Sequence, residues 1–411
     1  MPTTMTEFDP AAMGTHEFRL NPYPVWRRLR DEHPVYFNSA AGMWMITRYE
    51  DVLRGFRDHD RLSSTIMESS HNVVFGRSLT AMDGDEHTWK RNIIAPEFVG
   101  KKLEGFVHIV EQNAQALIDA FRRDGEVDLV DQFTTRLPVN VIVDMLALPK
   151  ADHEFFHDCY TKFMLGLGPD AHLRGIAVAA NADFHRYIDP FVRKRMTDPG
   201  EDLISKLCQA EVDGQRLAES DIKAFVSLLL TAGGETTDKA IASLWWLLLN
   251  NPGEFAQVQA DPELFDPAFT ETMRCEGPVP AEPRIAMCDI EWHGQTIPAG
   301  SAVTFSMHSA NHDERVFKDP ETFDIDRPDL YFGRDLRGGH MEEGRASHVG
   351  FGLGKHFCVG YQLARTEAVV GSKLLLAAMG NPRIKEGQNP RMGEGLAMRS
   401  VKRLPLEFEP R

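Results

Sequence analysis

The sequence predicts a mainly α-helical protein with a minor β portion, organised as one unit over residues 1–411. Three observations carry this. Apolar residues recur at three- and four-residue spacing through most of the chain, the period of a helix with one buried face. One such pattern, Glu219 to Asn250, exceeds thirty residues. Strand-like alternation of β-branched and aromatic residues is confined to about 34–48 and 285–305. No internal repeat, low-complexity segment or Gly/Ser/Pro-rich linker divides the chain.

The elements follow in order. Pro24 to Glu32 reads as a first short helix, and Val35–Phe37 with Met43–Arg48 as a small hairpin. Helices are expected over Glu104–Phe121, Leu137–Leu148, Asp152–Leu167 and Ala171–Met196. The pattern from Glu219 to Asn250 is apolar over much of its surface, so it must run through the middle of the fold. Asn251-Pro252 ends it. A helix follows over Pro267–Glu276, then short strands around His293-Gly294 and Pro298-Ala299-Gly300. Asn311 to Gly354 carries almost no pattern, and so long a loop inside a compact protein is usually functional. Val359–Ala378 reads as a last helix.

Composition narrows the function classes. A chain of 411 residues buries roughly three quarters of its unfolded surface and needs no staple. With 42% hydrophobic and 26% charged residues it has the make-up of a soluble globular protein. Its 45 basic and 61 acidic residues give a net charge of −16, which opposes nucleic-acid binding, driven as that is by basic contacts. The five cysteines are scattered and odd in number, with no Cys-x-x-Cys pair. That argues against a zinc ribbon and for a reducing, cytoplasmic setting. Met1–Pro10 has neither a basic start nor an apolar run, so no signal peptide is expected. Phe225–Ala232 and Ile241–Leu249 are too short to span a bilayer, so no membrane anchor is expected.

The sharpest local feature is Phe351-Gly352-Leu353-Gly354-Lys355-His356-Phe357-Cys358-Val359-Gly360. Its glycines allow tight turns with positive φ. Cys358 then stands at a helix start, where free amides and the helix dipole favour a thiolate. Such a sulfur suits axial ligation of haem iron, or nucleophilic catalysis; a buried apolar cysteine is the plain alternative. The run resembles the haem-ligand loop of the cytochrome P450 family, Phe-Gly-x-Gly-x-His-x-Cys-x-Gly. The resemblance implies that Cys358 is the proximal ligand to iron, with Phe351 and Gly352 beside the haem and His356 reaching a propionate.

Further motifs resemble the same family, in family order. Glu271-Thr272-Met273-Arg274 matches Glu-x-x-Arg, whose i, i+3 spacing lets the two side chains pair. The run from Asp319 to Arg327 matches the loop that supplies a second arginine, Arg327. The resemblance makes these three structural. Ala232-Gly233-Gly234-Glu235-Thr236-Thr237 resembles the motif over the distal haem face. It implies that Thr236 bonds the bound oxygen and Glu235 links it to a proton supply, Thr237 being the alternative hydroxyl. A local distortion of the long helix is expected there. His87 and Arg91, at i, i+4, and Arg284 fall where the family binds haem propionates, with Glu282 nearby. The fold implied is that of a cytochrome P450, with haem between the long central helix and the cysteine loop.

The activity implied is a haem-thiolate monooxygenase with haem b, inserting one atom of O2 into a small to medium hydrophobic substrate. Electrons originate in NAD(P)H and arrive through an external ferredoxin and its reductase. The implied protein is a monomer. A peroxygenase or isomerase of the same type, and a non-catalytic haem sensor or carrier, are the alternatives; retention of Glu235 and Thr236 favours O2 activation. The resemblance places the substrate pocket at Val73, Val74, Phe75, Met164, Leu229, Ala232, Gly233, Val279, Ala281 and Leu396. Gly166-Leu167-Gly168-Pro169 is expected to act as a mobile lid joint, and Lys355, Arg365, Lys101 and Lys102 as a basic patch steering an acidic ferredoxin.

Overall fold

The computed structural model describes residues 13–168, 170–333, 336–337, 339, 341–342, 344–393 and 398–411. Among these, eleven helices have nine or more residues. They are α1 (Tyr23–Glu32), α2 (Tyr49–Arg57), α3 (Gly84–Ile94), α4 (Val107–Phe121), α5 (Leu137–Met145) and α6 (His153–Gly166). Then come α7 (Ala171–Thr197), α8 (Glu219–Asn250), α9 (Pro252–Ala260), α10 (Phe265–Cys275) and α11 (Tyr361–Ala378).

The long apolar pattern is α8, and it lies where its composition requires. Helices α5, α6, α7, α10 and α11 pack against it. Phe225, Leu230, Ile241, Leu244 and Trp245 are all buried in one helical core shared with these neighbours. The Trp245 indole N–H donates to Ser372 Oγ at 3.0 Å, fixing α8 to α11. Asn251 leaves the helical region ahead of Pro252, as the residue before a proline tends to, and α9 begins there.

The five strands of the main sheet are β1 (Val35–Asn38), β2 (Met43–Ile46), β3 (Leu62–Ser63), β4 (Glu282–Ala286) and β5 (Ala302–Phe305). Their order is β1-β2-β5-β4-β3, with β5 parallel to β2 and the other pairs antiparallel. Ile46, Val303 and Phe305 point into a second core with Val52 and Phe56 of α2. A three-stranded sheet joins Met379–Ile384, Pro405–Pro410 and Glu126–Asp128.

The structure departs from the sequence reading in three places. The pattern from Glu104 to Phe121 divides after Glu104, where Gly105 weakens the helix, into Gly100–Glu104 and α4. Helix α2 carries alternating charges along its exposed side, which masked its apolar stripe of Val52, Leu53 and Phe56. The expected distortion of α8 at Ala232–Thr237 is absent; α8 is continuous. Two interior glycines cost about 1 kcal/mol each relative to alanine, but both lie under neighbouring helices. A Cβ on Gly233 would meet Ile142 Cδ1 of α5 at 2.7 Å, and one on Gly234 would meet Val139 and Tyr160 at 3.2 Å. Their absence lets α5 and α6 pack close, which offsets that cost.

Candidate haem-thiolate site

The cysteine loop is built by the glycines its sequence advertised. Gly352 (φ 69°) and Gly354 (φ 68°) adopt the left-handed region that L side chains resist. The turns they make are closed by Gly352 N–H to Val349 O at 2.9 Å and Cys358 N–H to Phe351 O at 2.9 Å. Cys358 precedes the first residue of α11 by three positions. The amides of Gly360 and Tyr361 donate to its sulfur. Phe351 stacks edge-on against Tyr361 at 4.8 Å, beside the cysteine.

One sequence-level expectation reverses here. Burial pushes the Cys358 thiol above its ordinary value, against the two amides and Arg91, which favour the thiolate. The desolvation cost of a buried anion exceeds what those donors return. A bound metal cation supplies the missing compensation, since a coordinating thiol is deprotonated outright.

The groups expected at the propionates converge. His87 stacks on His356 with ring centroids 4.1 Å apart, and His356 Nε2 lies 3.0 Å from Asp83 Oδ1. Asp83 also accepts from Ser63 Oγ (2.5 Å) and Ser64 N–H (2.9 Å). Arg91 donates to the Phe357 carbonyl. Arg284, on β4, is buried; it donates to Pro283 O at 2.7 Å, lies 3.8 Å from Glu282 and stands over the Phe56 ring at 5.7 Å. Burial lowers Arg284 and raises Glu282. Burial, then the charges of His356 and Arg91, lower His87 to about 3.

These residues fit a haem. His87 Nε2 is buried with no hydrogen-bond partner among the described residues, and Arg284 is a buried cation 3.8 Å from Glu282; a carboxylate beside them would satisfy the one and strengthen the compensation of the other. Cys358 and Glu282 are half-buried, and Cys358 lines a cavity of about 280 Å³ with Arg91, Leu336, Phe357 and Tyr361. Ala232 is exposed and Gly233 and Thr236 are partly so, midway along a helix whose flanks are buried.

The oxygen-side pair is arranged unequally. The Thr236 hydroxyl donates to Ala232 O at 2.7 Å, leaving its lone pairs free. Thr237 is buried, which removes it as the alternative hydroxyl. Glu235 does not bond Thr236: it accepts from the Tyr160 hydroxyl, with Lys239 Nζ at 3.9 Å. Lys239 bonds Asp238 at 2.7 Å, which accepts from Thr134 at 2.6 Å and Thr135 at 3.2 Å. Nothing in the sequence points to Tyr160 beyond the second glycine, Gly234, over which its ring lies.

The Glu-x-x-Arg cluster is fully buried. Glu271 Oε1 accepts from Arg274 Nη2 (2.7 Å), Arg327 Nη1 (3.1 Å) and Asp324 N–H (3.2 Å), and Oε2 from Arg274 Nε (2.8 Å). Arg274 Nη1 reaches the carbonyls of Asn311 at 2.9 Å and Pro320 at 2.8 Å, pinning the long loop to α10.

The substrate-pocket expectations divide. Ala232 is exposed, and Met164, Val279 and Ala281 keep partial exposure. Val74, Phe75 and Leu229 belong instead to the helical core, Phe75 packing on Phe163 with centroids 5.9 Å apart. Gly233 directs its side-chain position at Ile142 rather than a cavity. Val73 is 47% exposed. Leu396 and Pro169 lie outside the described residues. In the basic patch, Arg365 is bound to Asp266 and Tyr361 and is buried, and Lys102 is paired with Glu97, so neither is free for docking. Lys355 and Lys101 remain exposed.

A mainly helical fold, a half-buried cysteine held by backbone amides, and Arg91, Arg284, His87 and His356 around it define a haem-thiolate protein. Comparison with known proteins gives the family. The model of the family described as "Cytochrome P450" matches residues 260–379. Pulcherriminic acid synthase of Bacillus subtilis is 33% identical over 375 residues, 90% of this chain and 91% of that protein. A putative cytochrome P450 of Mycobacterium tuberculosis is 30% identical over 402 residues, 96% of each chain. Among solved structures, CYP109E1 of Bacillus megaterium in complex with testosterone superposes with a TM-score of 0.83 at 27% identity, covering 95% of this chain and 99% of that one. The chain belongs to the cytochrome P450 family. It is accordingly a P450 monooxygenase that binds haem b and uses O2 with NAD(P)H-derived electrons delivered through partners. Among the described residues, no helix is long and apolar enough to cross a membrane.

Proposed function

We propose that this enzyme inserts one oxygen atom into a small to medium hydrophobic organic compound, with electrons from an external ferredoxin and its reductase, acting as one monomeric unit over residues 1–411. One observation carries the reading: the Cys358 sulfur accepts from the Gly360 and Tyr361 amides at the end of a glycine-turned loop and lines a cavity with Arg91 and Phe357. Bound haem supplies O–O and C–H bond chemistry, promoted by the electron-rich thiolate.

The chain's own residues do the rest. Cys358 ligates iron, with Phe351 and Gly352 packed beside it. Arg91, Arg284, His87 and His356 hold the propionates, which relieves the orphaned His87 Nε2 and the under-compensated Arg284. Thr236, its proton committed to Ala232 O, offers lone pairs to an O–H donor on the oxygen side. Glu235 supplies protons to it. Glu271, Arg274 and Arg327 hold the loop that carries the ligand. Ala232, Met164, Val279 and Ala281 give an apolar surround, and the similar CYP109E1, solved in complex with testosterone, supports a hydrophobic substrate. Exposed Lys355 and Lys101 favour an acidic electron donor.

The absorption spectrum of the dithionite-reduced protein with carbon monoxide tests this. A strongly red-shifted Soret band that Cys358→Ser removes is expected. A haem band lacking that shift would refute the ligand, and no haem band in haem-supplemented, folded protein would refute the oxygenase.

A further inference from the structure

Glu235 carries the one acid of the oxygen-side pair, yet it turns away from Thr236. Its carboxylate is engaged by the Tyr160 hydroxyl, on α6, and more distantly by Lys239 at 3.9 Å. Lys239 is closer to Asp238, at 2.7 Å, and Asp238 is itself fixed by two threonine hydroxyls. The lysine therefore belongs first to Asp238, and the tyrosine is the principal partner of Glu235.

Tyr160 is built for this contact. It is buried, and its ring lies over Gly234, where a Cβ would come within 3.2 Å of Cε2. A side chain at 234 would lift the ring from α8 and move the hydroxyl away from Glu235. The second glycine of the motif is thus explained by a tyrosine 74 positions earlier. Burial, then the charge of Glu235, raises Tyr160 far above its ordinary value. The phenol accordingly keeps its proton and donates a hydrogen bond to the Glu235 carboxylate.

The two residues sit on different helices. Helix α6 ends at Gly166, α7 begins at Ala171, and the pair packs together over α8. Phe163, one turn from Tyr160, rests on Phe75 and Phe184. A shift of α6 relative to α8 therefore changes the Tyr160–Glu235 contact.

We propose that the hydrogen bond from Tyr160 to Glu235 is a latch. It holds the acid off Thr236 and makes its release depend on how α6 is seated on α8. Tyr160 is a positioning residue, not a catalytic one. The inference rests on the reading of Glu235 as proton supplier, and it adds what controls that supply.

The test uses four haem-loaded proteins: native, Tyr160→Phe, Glu235→Gln and the double variant. Phenylalanine keeps the ring over Gly234 and removes only the hydroxyl. Hydrogen exchange of amides 155–165 is the first readout. Each single variant is expected to exchange about 10-fold faster or more, as loss of a hydrogen bond to a charged group implies, and the double variant no faster than either. Unchanged rates, or single effects that multiply in the double variant, would overturn the latch. The second readout is NADPH consumption without substrate, driven by a plant-type ferredoxin and its reductase. Tyr160→Phe should raise it several-fold with matching peroxide release, and Glu235→Gln in the same chain should abolish the rise. A fall in Tyr160→Phe would overturn the proposal. The reduced carbon monoxide band separates the two levels: its absence from the native protein refutes the haem-thiolate reading, whereas a normal band with uncoupled exchange refutes the latch alone.

Discussion

Replacing Glu271 by glutamine keeps the side-chain volume and removes one charge. Both Glu271 and Arg274 are completely buried. In the native protein the carboxylate receives two donors from Arg274, one from Arg327 and the Asp324 amide. In Glu271→Gln the amide NH2 must face one of these donors, and Arg274 is left as a buried cation whose partner has become neutral. Breaking a buried pair from one side costs roughly 3–5 kcal/mol, because the remaining charge stays desolvated. Folded domains are stable by only about 5–15 kcal/mol, so this is about a fifth or more of the total.

The assay is urea unfolding of the haem-loaded protein, followed by tryptophan fluorescence and by the Soret band. Taking a slope of about 3 kcal/mol/M, the upper end for small proteins, the midpoint should fall by roughly 1–1.7 M. Glu263→Gln is the control. It removes an ion pair of similar length, Lys373 Nζ to Glu263 at 2.7 Å, but the carboxylate is 80% exposed. Such a pair is worth about 0–1 kcal/mol. A Glu271→Gln midpoint no lower than that of Glu263→Gln would refute the argument that burial makes the difference.

Three further outcomes follow from the site and its surroundings. Thr236→Ala should divert electrons from product to peroxide while leaving the reduced carbon monoxide band intact, whereas Thr237→Ala, at a buried position, should lower stability and leave the product-to-peroxide ratio unchanged. Burial lowers His308 and His348 to about 3 from an ordinary 6.5, so both are neutral in the folded protein. The unfolded chain takes up those protons below pH 6.5, so stability should fall as pH drops from 6.5 toward 3, each histidine adding up to about 1.4 kcal/mol per pH unit; a slope unaltered in His308→Gln would refute its share. Lys355→Glu should slow ferredoxin-driven turnover and leave 4-phenylimidazole binding, read from the Soret shift, unchanged; equal turnover would remove Lys355 from the docking surface.

What was legible in the sequence was whatever depends on local geometry. The glycines of the cysteine loop had to adopt positive φ because the chain must turn tightly, and Gly352 and Gly354 do. An apolar pattern as long as Glu219–Asn250 could only be buried, and it is. The i, i+3 spacing of Glu271 and Arg274 allowed their pairing, but burial of that pair depends on carbonyls of Asn311 and Pro320, far along the chain. Pocket residues were the least legible. Val74, Phe75 and Leu229 are as apolar as cavity-lining residues, and only the tertiary packing decides that they face Phe163 and the helical core.

The same limit explains why the thiolate argument reversed. Amides at a helix start favour an anion wherever they occur, and the sequence shows them; desolvation depends on what surrounds the sulfur in three dimensions, and the sequence does not. In the folded chain the second effect exceeds the first. The protein alone therefore holds Cys358 in a state that its own donors only partly stabilise, and full stabilisation requires a cation at the sulfur. His87 Nε2 and Arg284 are under-compensated in the opposite sense and require an anion. A site that needs a metal cation at one point and carboxylates at another is complementary to one group carrying both, which iron protoporphyrin does. Haem binding and folding of this region are accordingly linked, so removal of either His87 or Arg284 should weaken haem retention more than it weakens the helical core.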